Sequence, residues 1–277
     1  MKIYQKPRYH EWRWRNLVGP LVNKDGADRM LLDIGCNAGF YMKKTQMLGY
    51  KTLGVEIDDD YISQAPKNLE ITKADINYYK PHCAYLTLLL CVHYHQSAEQ
   101  VEALLNNLLD STAYMIVMGR NEMYRGRVKT YPDLQYITSK LKAWKINSTI
   151  KARQFYSILV KNPFLEELGV EELYQTTYNF VLGLDGFDNF VPAFEEFVKR
   201  TLDDFDYDHS NSDLVKYFKR RKIKYPLGYC WNYKVLINEL KEHGIHTALR
   251  VKGRIKDGFH RLIILRELGY KRVVCKI

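Results

Sequence analysis

The 277-residue chain is 46% apolar and carries 42 Lys and Arg against 32 Asp and Glu, a net charge of +10. That length and apolar content suffice for two packed domains, and the basic balance favours anionic partners such as nucleic acid, nucleotides or phosphorylated sugars. No apolar run approaches the ~20 residues that span a bilayer, no apolar signal segment follows Met1, and the five cysteines form no CxxC pair, so a soluble, cytoplasmic protein without a bound metal is expected.

In chain order, residues 9–21 (YHEWRWRNLVGPL) predict a short aromatic and basic helix ending near Gly19-Pro20. Residues 30–34 form a short apolar run between turns, which suits a buried strand. A helix follows over 40–48, stopped by Gly49. Strands are expected at 51–57, 71–76, 84–92 and 113–118, with a helix over 98–109 between the last two. Strands alternating with helices point to a parallel α/β sheet. The segment 120–153 is basic and aromatic with weak periodicity and reads as an insertion or lid. Residues 155–160 and 178–182 are candidate closing strands, with a helix over 164–169 between them.

The composition changes after Gly186. Residues 194–205 read as an amphipathic helix, 206–213 as an acidic loop and 216–224 (KYFKRRKIK) as a basic run. From Tyr233 a new α/β pattern begins: a helix stopped by Gly244, two short strands turning at Gly253, a helix opened by Asp257-Gly258, and a final strand over 272–277.

The stretch LLDIGCNAGF over 31–40 carries the chemistry of the first half. A strand delivers Asp33, and the backbone then turns through Gly35 and Gly39 into a helix; glycines there permit positive φ and close approach of a bulky ligand. Cys36 lies in the same turn, and Asn37 tolerates the left-handed region better than most residues. One strand later, Glu56 at a strand tip is placed to accept ribose hydroxyls, with Asp58 as the alternative and Ile57 beside it. Asp75, followed by Ile76, is placed at the third strand tip, where it can accept from an adenine amino group. The loop lacks the GxGxxG spacing that packs a pyrophosphate on a helix, which disfavours a nicotinamide cofactor.

This ordered set resembles the class I S-adenosylmethionine (SAM) dependent methyltransferases over roughly residues 8–186, and is similar to the group with D-x-G-C-N-x-G-F/Y, which includes tRNA wobble-uridine carboxymethyltransferases. Those enzymes also carry an aromatic and basic segment before the first strand, as EWRWR does here at 11–15. The resemblance implies SAM as cofactor, bound by Asp33, Gly35, Cys36, Asn37, Gly39, Glu56, Ile57, Asp75, Ile76 and Cys91.

Methyl transfer from a sulfonium is an in-line displacement that positioning alone can accelerate strongly. The acceptor side is expected at the end of the fourth strand, CVHYH over 91–95, where His93 is the candidate base, Tyr94 a stacking or positioning group, and His95 a weaker alternative. There is no D/N-P-P-Y/F/W after strand four and no Pro-Cys pair at a strand tip, which disfavours base-amine and 5-methylcytosine chemistry of the usual DNA kinds. No Cys/His set has metal-ligand spacing.

In the C-terminal part a helix start bearing Gly258, His260 and Arg261 is a candidate anion site, since free N–H groups and a guanidinium converge there. The stretch over 222–277 resembles the ParB/sulfiredoxin-like superfamily, which implies phosphate or nucleotide binding by Asp257, Gly258, His260 and Arg261; Phe259 stands where sulfiredoxins have their reactive Cys. The fold expected is α/β: a doubly wound, Rossmann-like methyltransferase sheet over 1–186, a helical linker over 187–221, and a second, smaller α/β ParB-like domain over 222–277. The function expected is SAM-dependent methylation of an O or N acceptor on an anionic substrate, a phosphate-bearing small molecule or RNA. The alternatives are a non-catalytic or regulatory nucleotide- or nucleic-acid-binding protein that retains the SAM fold, and a small-molecule kinase acting through the C-terminal module. Oligomeric state is left open.

Overall fold

The computed structural model describes residues 7–27, 29–92, 96–120, 134–152, 155–182, 189–245, 248–252 and 254–277. The chain forms two compact units, Met1–Glu167 and Leu168–Ile277. The boundary drawn from composition at 186/187 therefore falls inside the second unit, and the segment read as a linker belongs to it.

The first unit opens with α1 (Pro7–Arg13), which runs on through a π-helical turn, Trp14–Val18, and a short turn, Gly19–Leu21. Then follow β1 (Met30–Ile34), α2 (Phe40–Gln46), β2 (Lys51–Glu56), α3 (Asp59–Gln64), β3 (Glu70–Lys73), β4 (Ala84–Leu90), α4 (Ala98–Leu109), β5 (Thr112–Arg120), α5 (Leu134–Lys140), β6 (Lys145–Lys151) and β7 (Phe155–Lys161). The seven strands form one sheet in the order β3-β2-β1-β4-β5-β7-β6. β3, β2, β1, β4 and β5 are mutually parallel, and β7 pairs antiparallel with both β5 and β6. The winding runs outward from β1 to β3 and then crosses back to β4 beside β1. That reversal makes a switch point between β1 and β4, where an open α/β sheet leaves a crevice at its C-terminal edge.

Both faces of the sheet are covered, which is why its central strands are nearly continuous apolar runs. On β5, Met115 and Val117 join Leu104, Leu105 and Leu108 of α4 in one core, while Ile116 and Met118 join Leu17, Val18, Leu86 and Leu88 in the other. The alternation follows from the two-residue repeat of a strand. Ser97 starts α4 with a capping box: its hydroxyl accepts from the Gln100 N–H, and the Gln100 side chain accepts from the Ser97 N–H.

A second, four-stranded sheet has the order β10-β9-β11-β8 and is formed by β8 (Leu165–Gly169), within which the boundary between the units falls, and by β9 (Leu249–Val251), β10 (Ile255–Asp257) and β11 (Arg272–Lys276) of the second unit. The helices of that unit are α6 (Val170–Leu182), α7 (Phe190–Asp203), α8 (Asp213–Arg220), α9 (Pro226–His243) and α10 (Phe259–Glu267). Two expectations are overturned here. Residues 164–169, expected as a helix, form strand β8, and 178–182, expected as a strand, are the last turns of α6. Val170, Leu173, Tyr174 and Thr177 are buried at the i, i+3, i+4, i+7 positions of one helical face, so the aromatic and β-branched run that reads as a strand is held in helical period. α3, α5, α8 and β6 were not foreseen. Among the described residues no helix is long and apolar enough to cross a membrane.

Candidate cofactor-binding site

The C-terminal ends of the parallel strands converge on the switch point. Asp33 sits near the end of β1 at 1% exposure, and its Oδ2 has no hydrogen-bond partner. Burial, with a smaller contribution from the nearby Glu56 carboxylate, pushes its pKa up to about 7. Beyond β1 the turn is fastened to β2: the Gly35 and Cys36 N–H groups both donate to Val55 O, at 2.8 and 3.1 Å. Gly35 has φ +70°, and a Cβ there would lie 2.4 Å from Val92 Cγ2, so glycine is demanded by the left-handed backbone and by close packing on the β4 tip. Gly39 has φ +76° and abuts Leu69. Asn37, at φ +51°, and Cys91, at φ +65°, are non-glycine residues in the same left-handed region. Such backbone conformations are costly and concentrate where a binding site is built.

Glu56 ends β2 and is 7% exposed. Its Oε2 accepts from the Asn37 N–H at 2.9 Å, and its Oε1 accepts from the Ile57 and Asp58 N–H groups at 2.8 and 3.0 Å. A carboxylate has about four lone-pair directions. Three are committed to shaping the turn, and one direction, on Oε2, remains for a ligand hydroxyl. Asp58 is committed otherwise: it caps α3 by accepting from the Asp60 N–H. Asp75 lies just past β3, with Oδ1 accepting from the Asn77 N–H and its side-chain amide at 2.9 and 2.7 Å. Ile57 is 58% exposed beside Glu56, an apolar rim, and Ile76 is buried. Cys36 is buried with its thiol pKa raised by desolvation, and its Sγ is where a Cβ on Gly54 would collide, at 2.6 Å; its role here is packing. The structure thus brings Asp33, Gly35, Cys36, Asn37, Gly39 and Glu56 together directly, with Ile57 adjoining. Asp75 and Ile76 follow the neighbouring strand β3, and Cys91 follows β4. His93, Tyr94 and His95 lie outside the described residues.

Residues not foreseen individually join this edge from α1 and α2. Tyr41 is 6% exposed, with its buried hydroxyl beside Arg13. Burial raises its pKa, opposed by Arg13 and reinforced by Cys91 and Asp33, so those four groups share one electrostatic neighbourhood. Arg13, 6% exposed, lies over the Phe155 ring at 4.6 Å, and Arg120, paired with Phe155 across β5 and β7, lies over it at 5.3 Å. His10 packs on Phe40 and Tyr41 at 5.2 and 5.8 Å, and its buried Nδ1 has no partner. Burial, aided by Arg13, lowers its pKa and keeps it neutral. The aromatic and basic spacing of HEWRWR was the available signal; which of its residues turn inward is decided by tertiary packing.

In the second unit Gly258 starts α10 at φ +98°. A Cβ there would lie 2.6 Å from Leu249 Cδ2 and 3.0 Å from Arg261 Nη2, so the Arg261 guanidinium folds back over the helix start. His260 is built into an aromatic box, with Phe194 and Phe190 edge-on at 5.1 and 5.5 Å and its Nε2 3.2 Å from Tyr233 Oη. Burial lowers its pKa, so it carries no charge near neutrality. The Asp257 side chain lies outside the described residues.

No protein-family model matches the chain, and no characterised protein matches it in sequence. Solved structures with a similar fold include a SAM-dependent methyltransferase from Archaeoglobus fulgidus (16% identical, covering 58% of this chain and 96% of that one, TM-score 0.48). Two others are the N-methyltransferase NodS from Bradyrhizobium japonicum WM9 (16%, 58% and 99%, 0.49) and magnesium protoporphyrin IX methyltransferase from Synechocystis PCC 6803 with bound SAM (16%, 55% and 79%, 0.46).

Proposed function

We propose that the first unit is a SAM-dependent methyltransferase domain acting on an O or N acceptor of an anionic substrate. The observation that carries this is Asp33: a buried carboxylate with an unpartnered oxygen, set beside a second carboxylate at the switch point, is a site prepared for a cationic ligand. SAM fits that description, because it brings a sulfonium and an ammonium, a ribose whose hydroxyl can use the remaining Oε2 direction of Glu56, and an adenine that needs an apolar flank such as Ile57 and an acceptor such as Asp75. It brings no phosphate, which agrees with the absence of a GxGxxG turn.

When bound, the cofactor supplies an electrophilic methyl group. Asp33 holds the cationic end, Glu56 fixes the ribose, and the turn from Gly35 to Gly39 sets the depth of seating. Arg13 and Arg120, both stacked on Phe155 at the same sheet edge, supply positive charge for an anionic acceptor. His93 is the candidate base and Tyr94 the candidate positioning group. A second role rests on Arg261 over the glycine start of α10, where free N–H groups and a guanidinium suit a phosphate or nucleotide; this is the ParB-like part of the proposal. His260 then supports the helix start from within its aromatic box.

Isothermal titration calorimetry of the whole chain with SAM and with S-adenosylhomocysteine tests the first role. Binding of either, lost in Asp33→Ala, is expected; no heat with both ligands removes the proposal. Titration with phosphate and ATP, comparing wild type with Arg261→Ala, tests the second; an equal response in both proteins removes it.

A further inference from the structure

We propose that the corner between α8 and α9 is a docking surface for single-stranded nucleic acid. Five cations occupy six consecutive positions there: Lys219, Arg220, Arg221, Lys222 and Lys224 are exposed and interrupted only by Ile223. None of the five has an ion-pair partner among the described residues, whereas Lys216 one turn earlier is paired with Asp213 at 2.9 Å. The acidic residues Asp204, Asp206 and Asp208 precede the N-terminal end of α8, and the basic run begins at its C-terminal end. Positive charge is therefore concentrated at one corner, where Asp213, already paired with Lys216, is the acidic neighbour of Arg220.

The corner also presents aromatic faces. Tyr225 is 65% exposed and Tyr229, one helical turn on, is 49% exposed. The Tyr225 ring carries the Lys224 ammonium at 5.1 Å, and Tyr229 leans on Phe218 at 5.6 Å. Solvated lysines covering a helix end would account for the charge. They do not account for two tyrosines left 65% and 49% exposed among them, whose rings are surfaces on which unpaired bases stack.

The corner is held in shape from beneath. Leu214, Val215, Tyr217 and Phe218 of α8 are buried. The end of the helix is closed by backbone bonds from the Arg221 N–H to Tyr217 O and from the Ile223 N–H to Phe218 O, both 3.0 Å, with Lys222 in the left-handed region at φ +57° between them. This closure satisfies the last carbonyls of α8 and fixes the backbone path from which Lys219, Arg220, Arg221, Lys222 and Lys224 project. An acidic peptide would use the cations and leave the rings idle. A duplex would hide the faces of its bases. A single strand uses both.

The test is fluorescence anisotropy of the full chain with a labelled 12-mer oligouridylate, at several salt concentrations. Wild type is expected to bind with a linear fall of log K against log salt, at about 0.7 per phosphate contacted. The triple variant Arg220→Gln, Lys222→Gln, Lys224→Gln is expected to reduce that slope by about 2, three contacts at that rate. Tyr225→Ala is expected to weaken binding about tenfold with an unchanged slope, and Tyr225→Phe to restore it, which a purely electrostatic surface would not do. Tyr225 stands clear of the core, so its replacement leaves the fold intact. No binding at 50 mM salt, unchanged binding by the triple variant, or equal affinity for polyglutamate or a 12-bp duplex would each overturn the proposal.

Discussion

Within the protein alone, Asp33 has an oxygen without a partner, sits at 1% exposure and feels the charge of the Glu56 carboxylate. A buried acid whose folded pKa of about 7 stands above its ordinary value of 3.8 destabilises the folded state as pH rises from about 4 through 7, because the unfolded chain ionises more readily. Asp33→Asn removes that burden. It is expected to raise the melting temperature of the ligand-free protein at pH 8 while weakening SAM binding about 10- to 100-fold, the scale of one hydrogen bond to a charged group. Differential scanning fluorimetry and calorimetry on the same preparations check both halves. A lowered melting temperature at pH 8 would show that Asp33 is satisfied in the protein and is not waiting for a cation.

The same residue dictates how binding responds to pH. A cationic ligand favours the ionised acid, so affinity for SAM is expected to climb as pH rises from 6 through 7 and to level off above it, with proton release on binding at the lower pH. Calorimetry at pH 6.5 in two buffers of different ionisation enthalpy reads the protons directly. A pH-independent affinity between 6 and 8 would remove Asp33 from contact with the charged part of the ligand.

At the scale of elements, the first unit was legible where strands are buried on both faces. Residues 84–90 (AYLTLLL) and 113–118 (AYMIVM) read as strands because both faces of a central parallel strand meet cores. β6 (KINSTIK) lies at the sheet edge with five of its seven residues exposed, so its pattern has no apolar run to find. β8 (LEELG) has good helix formers at all positions but Gly169 and is held extended by the sheet it joins, a case of pairing overriding propensity. The site followed the same division. The candidate residues Asp33, Gly35, Gly39 and Glu56 sit where chain-local spacing puts them, at the ends of β1 and β2 and in the turn that leads into α2. Arg13 and His10 of α1 and Tyr41 of α2 join the candidate site through tertiary packing, which spacing does not encode.

The helices α7, α8 and α9 carry a pH-sensitive element of their own. His209, between α7 and α8, is 5% exposed, has its Nε2 at 2.9 Å from Thr201 Oγ1 and stacks near Phe197 at 4.0 Å, while its Nδ1 has no partner. Burial, followed by Lys234 and Arg200, depresses its pKa to about 4 from 6.5. Stability from the neutral ring is fully present above pH 6.5 and is lost as pH falls toward 4, on the order of 3 kcal/mol for such a shift. Urea unfolding at pH 7, 5.5 and 4.5 is expected to give a steeper loss for wild type than for His209→Gln. Parallel losses in the two proteins would place the acid sensitivity elsewhere.

At the scale of the whole molecule, two compact units with different candidate ligands make the location of the methyl donor a question with a spatial answer. A ligand that binds only the folded form stabilises it by about 2.7 kcal/mol at a hundredfold excess over its dissociation constant. Hydrogen exchange slows by that same free energy wherever the opening reaction breaks the binding site. Saturating SAM is therefore expected to protect the amides at the C-terminal ends of β1, β2 and β4 and through α2. Those of Asn37, Ile57 and Asp58, which already bond to Glu56, should slow with them because the ligand locks the same carboxylate. The amides of α7, α8 and α9 are expected to exchange at unchanged rates. Exchange read by mass spectrometry on proteolytic peptides resolves these segments. Protection confined to the start of α10, with β1 and β2 unaffected, would move the adenosyl site into the second unit and leave the carboxylates of the first without a ligand.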